Sequence, residues 1–198
     1  MKKRVLAPTI EDGRKLLRAI SYMQETAKLD LLLGITRALQ VSVYIDASFA
    51  VHEDMKSLSG TVITLGYGAY YTKSTAQKLN TTSSCEAELV ALSKGMQQAL
   101  WSQAFIEAQC GTKCPIKVYQ ENQSTIKLIE RGRPGAEQSR HINIGYFWLN
   151  DLITRGLLTL IYCPNKLIIA DSLTNPVQGT LFTSLRDMLL GHTELQLP

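Results

Sequence analysis

The sequence predicts an α/β protein built on a mixed β-sheet, and three observations lead to this prediction. From residue 41 onward, three β-rich segments come first, one long helical segment follows, and further strands then alternate with helices. This order is typical of mixed sheets that are covered by helices. The chain has 198 residues, of which 45% are hydrophobic, so it can bury a full core as one domain with an appendage.

Composition and charge place few limits on the function. The net charge of +4 permits a polyanionic partner without requiring one. No apolar run has the length needed to span a bilayer, and the basic start at residues 1–4 is not followed by the core of a signal peptide. We therefore expect an intracellular protein, in the cytoplasm or the nucleus.

The four cysteines do not form a metal-ligand pattern. Cys110 and Cys114 are close in sequence, but no Cys/His pair follows them at the spacing of zinc ligands. A zinc site that includes His141 is the alternative. We expect Cys85, Cys110, Cys114 and Cys163 to be reduced thiols with packing roles.

The first 40 residues are predicted to form a helix and a linker in front of the main domain. Thr9 can cap a helix whose first turn carries Glu11 and Asp12. Apolar residues follow at helical spacing, namely Leu16, Leu17, Ile20 and Met23. Residues 34–40 are then the linker, and residues 41–198 are the main domain.

The main domain is predicted to begin with three strands. In residues 41–46, Val and Ile alternate with more polar residues, which is the period of a strand with two different faces. Residues 58–65 and 69–73 are two further β-rich runs. The Gly-Tyr-Gly sequence between these two runs predicts a hairpin.

The rest of the domain is predicted to alternate helices and strands. A long helix should cover residues 84–109, because Gly111 ends its pattern. After it we predict a strand at 116–120, a helix at 122–130, a basic loop at 131–135, a helix at 142–154, a strand at 157–162 and a helix at 167–173. Trp101 and Trp148 lie among apolar residues at helical spacing, so both are predicted to belong to the core.

Four acidic residues lie in otherwise apolar parts of these elements. They are Asp46 on the first strand, Glu88 in the long helix, Glu121 after a later strand and Asp171 in the last predicted helix. An unpaired carboxylate on an apolar face costs several kcal/mol unless a cation meets it. Ion pairs, such as Glu88 with Lys94, would have to be invoked separately for each acid. A shared metal site explains all four, and their order along the chain predicts a metal-dependent nuclease.

The long helix carries two glutamates with different predicted roles. Ser83 followed by Glu86 is the pattern of a capping box, in which the glutamate accepts a hydrogen bond from the backbone N–H of the cap residue. Glu88 instead shares its helical face with small and apolar residues, namely Ala91, Leu92, Gly95 and Ala99. We therefore assign a structural role to Glu86 and a metal-binding role to Glu88.

An ordered set of short motifs extends over almost the whole chain. The motifs are Tyr-Ile-Asp-Ala-Ser-Phe-Ala at 44–50, Ser-Gly at 59–60, Thr-Ser-Ser-Cys-Glu-Ala-Glu-Leu at 82–89, Asn-Gln-Ser at 122–124, Arg-His-Ile-Asn-Ile at 140–144, and Ala-Asp at 170–171 followed by Thr174 and Pro176. In their order and spacing they resemble the ribonuclease H domain of copia-type LTR retrotransposon polyproteins. Residues 8–33 are similar to the family's segment that joins the reverse transcriptase to this domain.

The resemblance implies a fold and a reaction. The implied ribonuclease H-like fold has a five-stranded mixed β-sheet flanked by α-helices, here with an N-terminal helical extension. In the family's site, Asp46, Glu88, Glu121 and Asp171 would be catalytic and would bind two Mg²⁺ ions, or Mn²⁺ in their place. The implied reaction is hydrolysis of the RNA strand of an RNA/DNA hybrid during reverse transcription. The implied partners are this hybrid and the reverse transcriptase domain of the same polyprotein, with no membrane and no small-molecule cofactor.

The same resemblance assigns substrate contacts to two motifs. They are Asn122, Gln123 and Ser124 in the first motif, and Arg140 and His141 in the second. The alternative for His141 is a residue at a helix start that contacts the sheet. The basic residues around the loop at 131–135 are either solvated or in contact with phosphates of the hybrid.

The sequence departs from the family's pattern at one of its acids. The family has Asp where this chain has Glu121, and the extra methylene moves the carboxylate by about 1 Å, which can cost about a hundredfold in rate. Gly145, Phe147 and Asn175 also replace residues that are commonly Arg, His and Lys in the family. The alternative prediction is therefore a catalytically impaired or repurposed module that binds nucleic acid or has a structural role.

Overall fold

A computed structural model describes residues 7–36, 38–51, 54–132 and 140–193 of the protein. The chain divides into two units, residues 1–31 and residues 32–198. None of the described helices is long and apolar enough to cross a membrane.

In the described chain, five strands follow the first helix, and the remaining two strands lie among the later helices. The strands are β1 Gly34–Ile35, β2 Val41–Ser48, β3 Leu58–Thr64, β4 Gly66–Tyr67, β5 Ala69–Ala76, β6 Ile116–Gln120 and β7 Leu158–Tyr162. The helices are α1 Ile10–Glu25, α2 Ser84–Cys110, α3 Gln123–Glu130, α4 Arg140–Thr154 and α5 Gly179–Leu190. Two 3₁₀ turns, Asn165–Leu167 and Ile169–Leu173, lie between β7 and α5.

The first unit contains α1, which begins with the predicted cap. The backbone N–H of Asp12 donates to the Thr9 hydroxyl at 3.2 Å, and the Asp12 carboxylate accepts from the Thr9 N–H at 2.9 Å. This reciprocal pair satisfies two backbone donors at the helix start. None of the α1 residues is buried, and Leu17 and Met23 are 65% and 61% exposed. The apolar stripe predicted from the spacing is therefore an exposed face of α1.

The second unit is built on a five-stranded mixed sheet with the order β5-β3-β2-β6-β7. Strand β2 is antiparallel to β3, and β3 is antiparallel to β5. Strands β2, β6 and β7 are parallel to one another. The predicted mixed sheet with flanking helices is therefore confirmed, and the first strand of the domain is its centre.

Part of the predicted linker is a strand instead. Strand β1 pairs antiparallel with β4, and Gly34 lies opposite Tyr67. The chain comes very close here, since a Cβ on Gly68 would lie 2.2 Å from the carbonyl oxygen of Leu32. Gly68 also has a φ of +61°, which favours glycine. A two-residue pairing of this kind has no hydrophobic period, so the sequence pattern did not indicate it.

Helix α2 has both of its predicted ends. The Glu86 N–H donates to the Ser83 hydroxyl at 3.2 Å, and Gly111 ends the helix with a φ of +64°. One detail of the capping box was wrong. The Glu86 carboxylate accepts from the backbone N–H and the hydroxyl of Thr82, both at 2.7 Å, one residue before the cap. Glu86 nevertheless has the structural role that the pattern predicted.

The two faces of β2 belong to two parts of the core. Val41, Val43 and Ile45 pack in the layer that contains α2 and α4. Tyr44 faces the opposite layer, where its ring stacks on that of Tyr119 with centroids 4.7 Å apart. The alternation in the sequence therefore separated two faces correctly, although both faces are buried.

Three sequence expectations in this domain differ from the structure. Trp101 was expected in the core, but it is 62% exposed and stacks on Phe105, because it lies off the helical face that carries Leu92, Met96 and Ala99. Trp148 does pack against the core. The helix predicted at 167–173 is a pair of short 3₁₀ turns, and α5 was not predicted at all.

The four cysteines are free thiols. Cys114 and Cys163 are buried, whereas Cys110 is exposed at the end of α2. Cys114 and Cys163 have the predicted packing role, the exposed Cys110 does not, and none of the four forms a disulfide.

Candidate metal centre

Asp46 lies on the central strand of the sheet and is only 2% exposed. It pairs with Gly60 of β3, where a Cβ would lie 2.9 Å from the carbonyl oxygen of Ala170. This glycine lets the turn at Ile169–Leu173 approach the sheet beside Asp46. The Thr174 hydroxyl donates a short hydrogen bond to the Asp46 carboxylate. Burial raises the pKa of Asp46, and the nearby charge of Asp171 raises it further, while the Thr174 bond opposes the shift.

Glu88 comes to the same place from the first turns of α2. It is 3% exposed, and its two oxygens accept hydrogen bonds from the backbone N–H of Ala47 at 3.2 Å and from Gln120 Nε2 at 3.1 Å. Burial raises the pKa of Glu88 to about 9, with a further contribution from the charge of Asp46. The apolar helical face that singled out Glu88 in the sequence thus lies against the sheet.

Glu121 follows directly after β6, which is parallel to β2. Parallel strands bring their carboxyl ends to one edge of the sheet, so Glu121 is carried towards Asp46. Its Oε2 atom is buried and has no hydrogen-bond partner among the described residues. Burial raises the pKa of Glu121 to about 7, and the charges of Asp46 and Asp171 add to the shift.

These three carboxylates form a compact group, which we call the acidic cluster. One oxygen atom each from Asp46, Glu88 and Glu121 lies within 4.8 Å of the other two. No ion pair found in the described part of the chain includes any of the three. Like charges at this separation disfavour full ionisation, which agrees with the raised pKa values. Oxygen ligands at one point are what a hard divalent cation requires.

Asp171, the fourth predicted acid, lies beside the acidic cluster rather than in it. It is in the second 3₁₀ turn and is 8% exposed. Asn175 Nδ2 donates a short hydrogen bond to the Asp171 carboxylate. Ser48 donates to the Asn175 side chain, which links Asp171 to the end of β2. Asp171 is close enough for its charge to raise the pKa of both Asp46 and Glu121.

The Asn-Gln-Ser motif forms the start of α3. Asn122 Oδ1 accepts hydrogen bonds from the backbone N–H groups of Ser124 at 3.0 Å and Thr125 at 3.1 Å, so Asn122 caps the helix. Gln123 and Ser124 are exposed next to Glu121. The motif therefore has a local structural role, and two of its side chains face solvent.

The remaining predicted substrate contacts begin α4. The backbone of Arg140 and His141 forms the first turn of this helix, and their side chains lie outside the described residues. Most of the basic loop before them, from residue 133, also lies outside the described residues. Of the positions that depart from the family's pattern, Gly145 lies against Ser93, and Phe147 is 52% exposed.

Two residues that support the acidic cluster were missed as site residues. Gln120 is fully buried, donates to Glu88 and accepts from the Asn122 N–H at 3.0 Å. Thr174 was part of a motif, but nothing in its sequence neighbourhood pointed to Asp46, which is 128 residues away. The available signal was Gln120 itself, a polar residue at the end of a strand that is apolar or aromatic except at Lys117.

Curated relatives of the chain are plant retrotransposon proteins. No protein-family model matches the chain. The retrovirus-related Pol polyprotein from transposon TNT 1-94 of Nicotiana tabacum is 26% identical over 151 residues, which are 76% of this chain and 11% of that protein. The corresponding polyprotein from transposon RE1 of Arabidopsis thaliana is 25% identical over 178 residues, which are 88% of this chain and 12% of that protein. The chain thus spans about a tenth of the length of the curated relatives it matches.

Solved structures with a similar fold are ribonucleases H. LC11-RNase H1, isolated from compost by a metagenomic approach, has a TM-score of 0.51 at 14% identity, over 70% of this chain and 94% of that chain. The structure of LC11-RNase H1 in complex with an RNA/DNA hybrid has a TM-score of 0.50 at 15% identity, over 69% and 94%. The fold is therefore ribonuclease H-like. Together with the polyprotein homologues, this confirms the resemblance that the motifs indicated.

Proposed function

We propose that the chain is a ribonuclease H-type endonuclease that hydrolyses the RNA strand of RNA/DNA hybrids. The observation that supports this proposal is the acidic cluster at the carboxyl ends of β2 and β6. Three carboxylate oxygens lie within 4.8 Å of one another in a buried setting, without an ion pair in the described residues. Such an arrangement is costly unless a cation is bound, so it fits a catalytic metal site better than a purely structural one.

The residues present fit divalent cations. The buried Oε2 of Glu121 lacks a partner in the described structure, and a bound cation would supply one. We propose that Asp46, Glu88, Glu121 and Asp171 hold Mg²⁺ or Mn²⁺, which prefer hard oxygen ligands. When bound, two such ions supply a nucleophile at neutral pH and stabilise the charge that develops on the phosphodiester.

The protein's own residues orient the site. Ala47 and Gln120 hold the two oxygens of Glu88, and Thr174 holds Asp46. These contacts place the carboxylates before any substrate arrives, which lowers the cost of organising the site. The carboxylates must lose protons to bind a cation, so we expect metal affinity to increase with pH.

The substrate and partner are proposals based on the relatives. One similar solved structure is a ribonuclease H1 in complex with an RNA/DNA hybrid, and the curated relatives are retrovirus-related Pol polyproteins. We propose that this chain also acts on a hybrid, alongside the reverse transcriptase domain of a polyprotein. The exposed Gln123 and Ser124 lie next to Glu121 in the chain, and we propose that they contact the hybrid.

Hydrolysis of a labelled hybrid tests this proposal. The purified chain is incubated with an RNA/DNA hybrid and Mg²⁺ or Mn²⁺, and single-stranded RNA and duplex DNA serve as control substrates. We expect cleavage of the hybrid's RNA strand alone, and its complete loss in Asp46→Asn. Asp151→Asn is the matched control, because Asp151 is an exposed acid on α4. Its activity should equal that of the native chain.

The catalytically impaired module is the second candidate, and Glu121 is the residue that favours it. Recovery of cleavage in Glu121→Asp, with none in the native chain, would identify an enzyme limited by the extra methylene. No cleavage by the native chain or by Glu121→Asp, combined with binding of the hybrid, would overturn the enzymatic proposal. It would favour a nucleic-acid-binding role.

A further inference from the structure

A cavity of about 330 Å³ lies between the sheet and α2, apart from the acidic cluster. Its walls come from β3, β5, the segment after β5 and the middle of α2. Ser59 and Thr61 line it from β3, whereas Asp46 pairs with the intervening Gly60 and so faces the other side of the sheet. Cavities of this volume are typical of sites for small molecules.

The cavity is positively charged. Lys73 from β5, Lys78 from the segment after it and Lys94 from α2 all line it. None of its lining residues is acidic. In the described part of the chain none of these three lysines forms an ion pair. Three converging cations without a counter-charge are complementary to an anionic group such as a phosphate.

Gln77 is a buried polar residue that lines the cavity. It is 5% exposed, and its Nε2 donates to Ser59 Oγ and to the carbonyl oxygen of Ala87, both at 2.8 Å. These two bonds fix the orientation of the amide, because both use its nitrogen. Its Oε1 is buried and has no partner among the described residues.

We propose that this lysine-lined cavity binds a nucleoside phosphate. The three lysines take the phosphate. Tyr71 lines the same cavity and offers an aromatic ring for the base. The proposal does not depend on hydrolysis at the acidic cluster, because no residue of that cluster lines the cavity.

Titration with adenosine 5′-monophosphate tests the proposal. The full chain is titrated by NMR in EDTA, so that no metal ion can bridge the nucleotide to the acidic cluster. We expect shifts of the backbone amides of Lys73, Gln77 and Lys94. The double variant Lys73→Ala/Lys94→Ala should weaken the affinity by about tenfold, because it removes two of the three charges that attract the phosphate.

The matched control is the double variant Lys113→Ala/Lys166→Ala. It removes the same charge from two exposed lysines that do not line the cavity. Its affinity for the nucleotide should equal that of the native chain. An equal loss in both double variants would show attraction by net charge alone and would overturn the proposal. The proposal would also be overturned if the backbone amides of Lys73, Gln77 and Lys94 did not shift at millimolar nucleotide.

Two further probes identify the ligand class. Inorganic phosphate should compete with the nucleotide, and adenosine without its phosphate should bind more weakly than the nucleotide. A 5′-phosphorylated dinucleotide distinguishes two sources of the nucleoside phosphate, the end of a nucleic-acid strand and a free nucleotide. Binding equal to that of the mononucleotide would indicate the end of a strand, and exclusion would indicate a free nucleotide. Adenosine that binds as tightly as the nucleotide would contradict the role of the lysines.

Discussion

Within the acidic cluster, the protein holds Asp46 and Glu88 differently from Glu121. Both oxygens of Glu88 accept hydrogen bonds from the protein, and Asp46 accepts one from Thr174. Glu121 has a buried oxygen that no described residue satisfies. The burial of Asp46 and Glu88 is also nearly complete, whereas Glu121 is half-buried.

This difference indicates how the site is organised. The fold itself positions Asp46 and Glu88. Their hydrogen-bond donors are Gln120 on the neighbouring strand, the backbone N–H of Ala47, and Thr174 directly after a 3₁₀ turn. Glu121 depends on what binds beside it. We therefore expect substitutions of Asp46 or Glu88 to abolish metal-dependent hydrolysis, and substitutions of Glu121 to change its rate.

The largest effect is expected for Glu88→Gln. The amide keeps the size of the side chain but loses its charge, so metal-dependent hydrolysis should fall below detection. The rise in melting temperature on addition of Mg²⁺ should disappear as well. Differential scanning fluorimetry and the hybrid cleavage assay measure the two effects.

Glu86→Gln is the control for Glu88→Gln, because the two glutamates lie two residues apart on α2. Glu86 serves the helix start, so its change should lower the free energy of unfolding by at most about 1 kcal/mol and leave the response to Mg²⁺ intact. A normal response to Mg²⁺ in Glu88→Gln would refute the role of Glu88.

The next largest effect is expected for Glu121→Asp. The shorter side chain moves the carboxylate by about 1 Å towards the backbone, and correct placement can be worth about a hundredfold in rate. We expect a gain in the single-turnover rate of hybrid cleavage up to that size. Glu130→Asp, at the exposed end of α3, should change nothing. A slower Glu121→Asp would show that the site has adapted to the longer side chain.

A smaller effect is expected for Thr174→Val. The variant keeps the shape of the side chain and removes the hydroxyl that donates to Asp46. Loss of a supporting contact of this kind typically weakens metal affinity by about tenfold or more. Isothermal titration with Mn²⁺ measures the change, and Thr183→Val on the exposed face of α5 is the control. Equal affinities in the two variants would exclude a positioning role for Thr174.

The smallest effect is expected on stability as a function of pH. Glu121 and Glu88 have their pKa values raised from 4.5 to about 7 and about 9. The folded, metal-free protein therefore holds protons that the unfolded chain has released, so its stability is greatest below pH 4.5 with respect to these groups and falls as pH rises. In EDTA, the melting temperature should decrease between pH 5 and pH 8, and Glu88 and Glu121 both contribute to the decrease.

Two comparisons sharpen this pH prediction. Glu121→Gln should make the decrease between pH 4.5 and 7 smaller, because Glu121 and Glu88 both hold protons there that the unfolded chain has released, and it should leave the decrease between pH 7 and 9, which is due to Glu88. Saturating Mg²⁺ should flatten the profile above pH 7, since the cation stabilises the ionised carboxylates. A melting temperature that rises with pH in EDTA would contradict the raised pKa values.

Much of the sheet could be predicted from short-range pattern. Strand β6 was predicted with the bounds that it has, and the start and end of α2 followed from Ser83 and Gly111. Strand β1 could not be predicted, because it depends on a partner more than 30 residues away rather than on a local period. Helix α5 was overlooked although Leu185 and Met188 are spaced as a buried helical face requires.

The sequence indicated that Asp46, Glu88 and Glu121 would come together, but it did not indicate the geometry of the candidate site. The choice of Glu88 over Glu86 followed from the neighbours on each helical face, and the structure places Glu88 with Asp46 and Glu121. The separate position of Asp171 was not predictable, because it depends on how the 3₁₀ turn packs beside Gly60. The supporting donors Gln120 and Thr174 were missed for the same reason.

The sequence by itself determined the order of the five strands of the main sheet, the start of α1, both ends of α2 and the places of Asp46 on one strand and Glu121 after another. These features depend on hydrogen bonds and periodicities within a few residues. Only the tertiary structure decided which carboxylates meet, how far burial raises their pKa values, and that Lys73, Lys78 and Lys94 converge on one cavity. Distances and desolvation depend on the packing of segments that are far apart in the chain, and no local pattern records them.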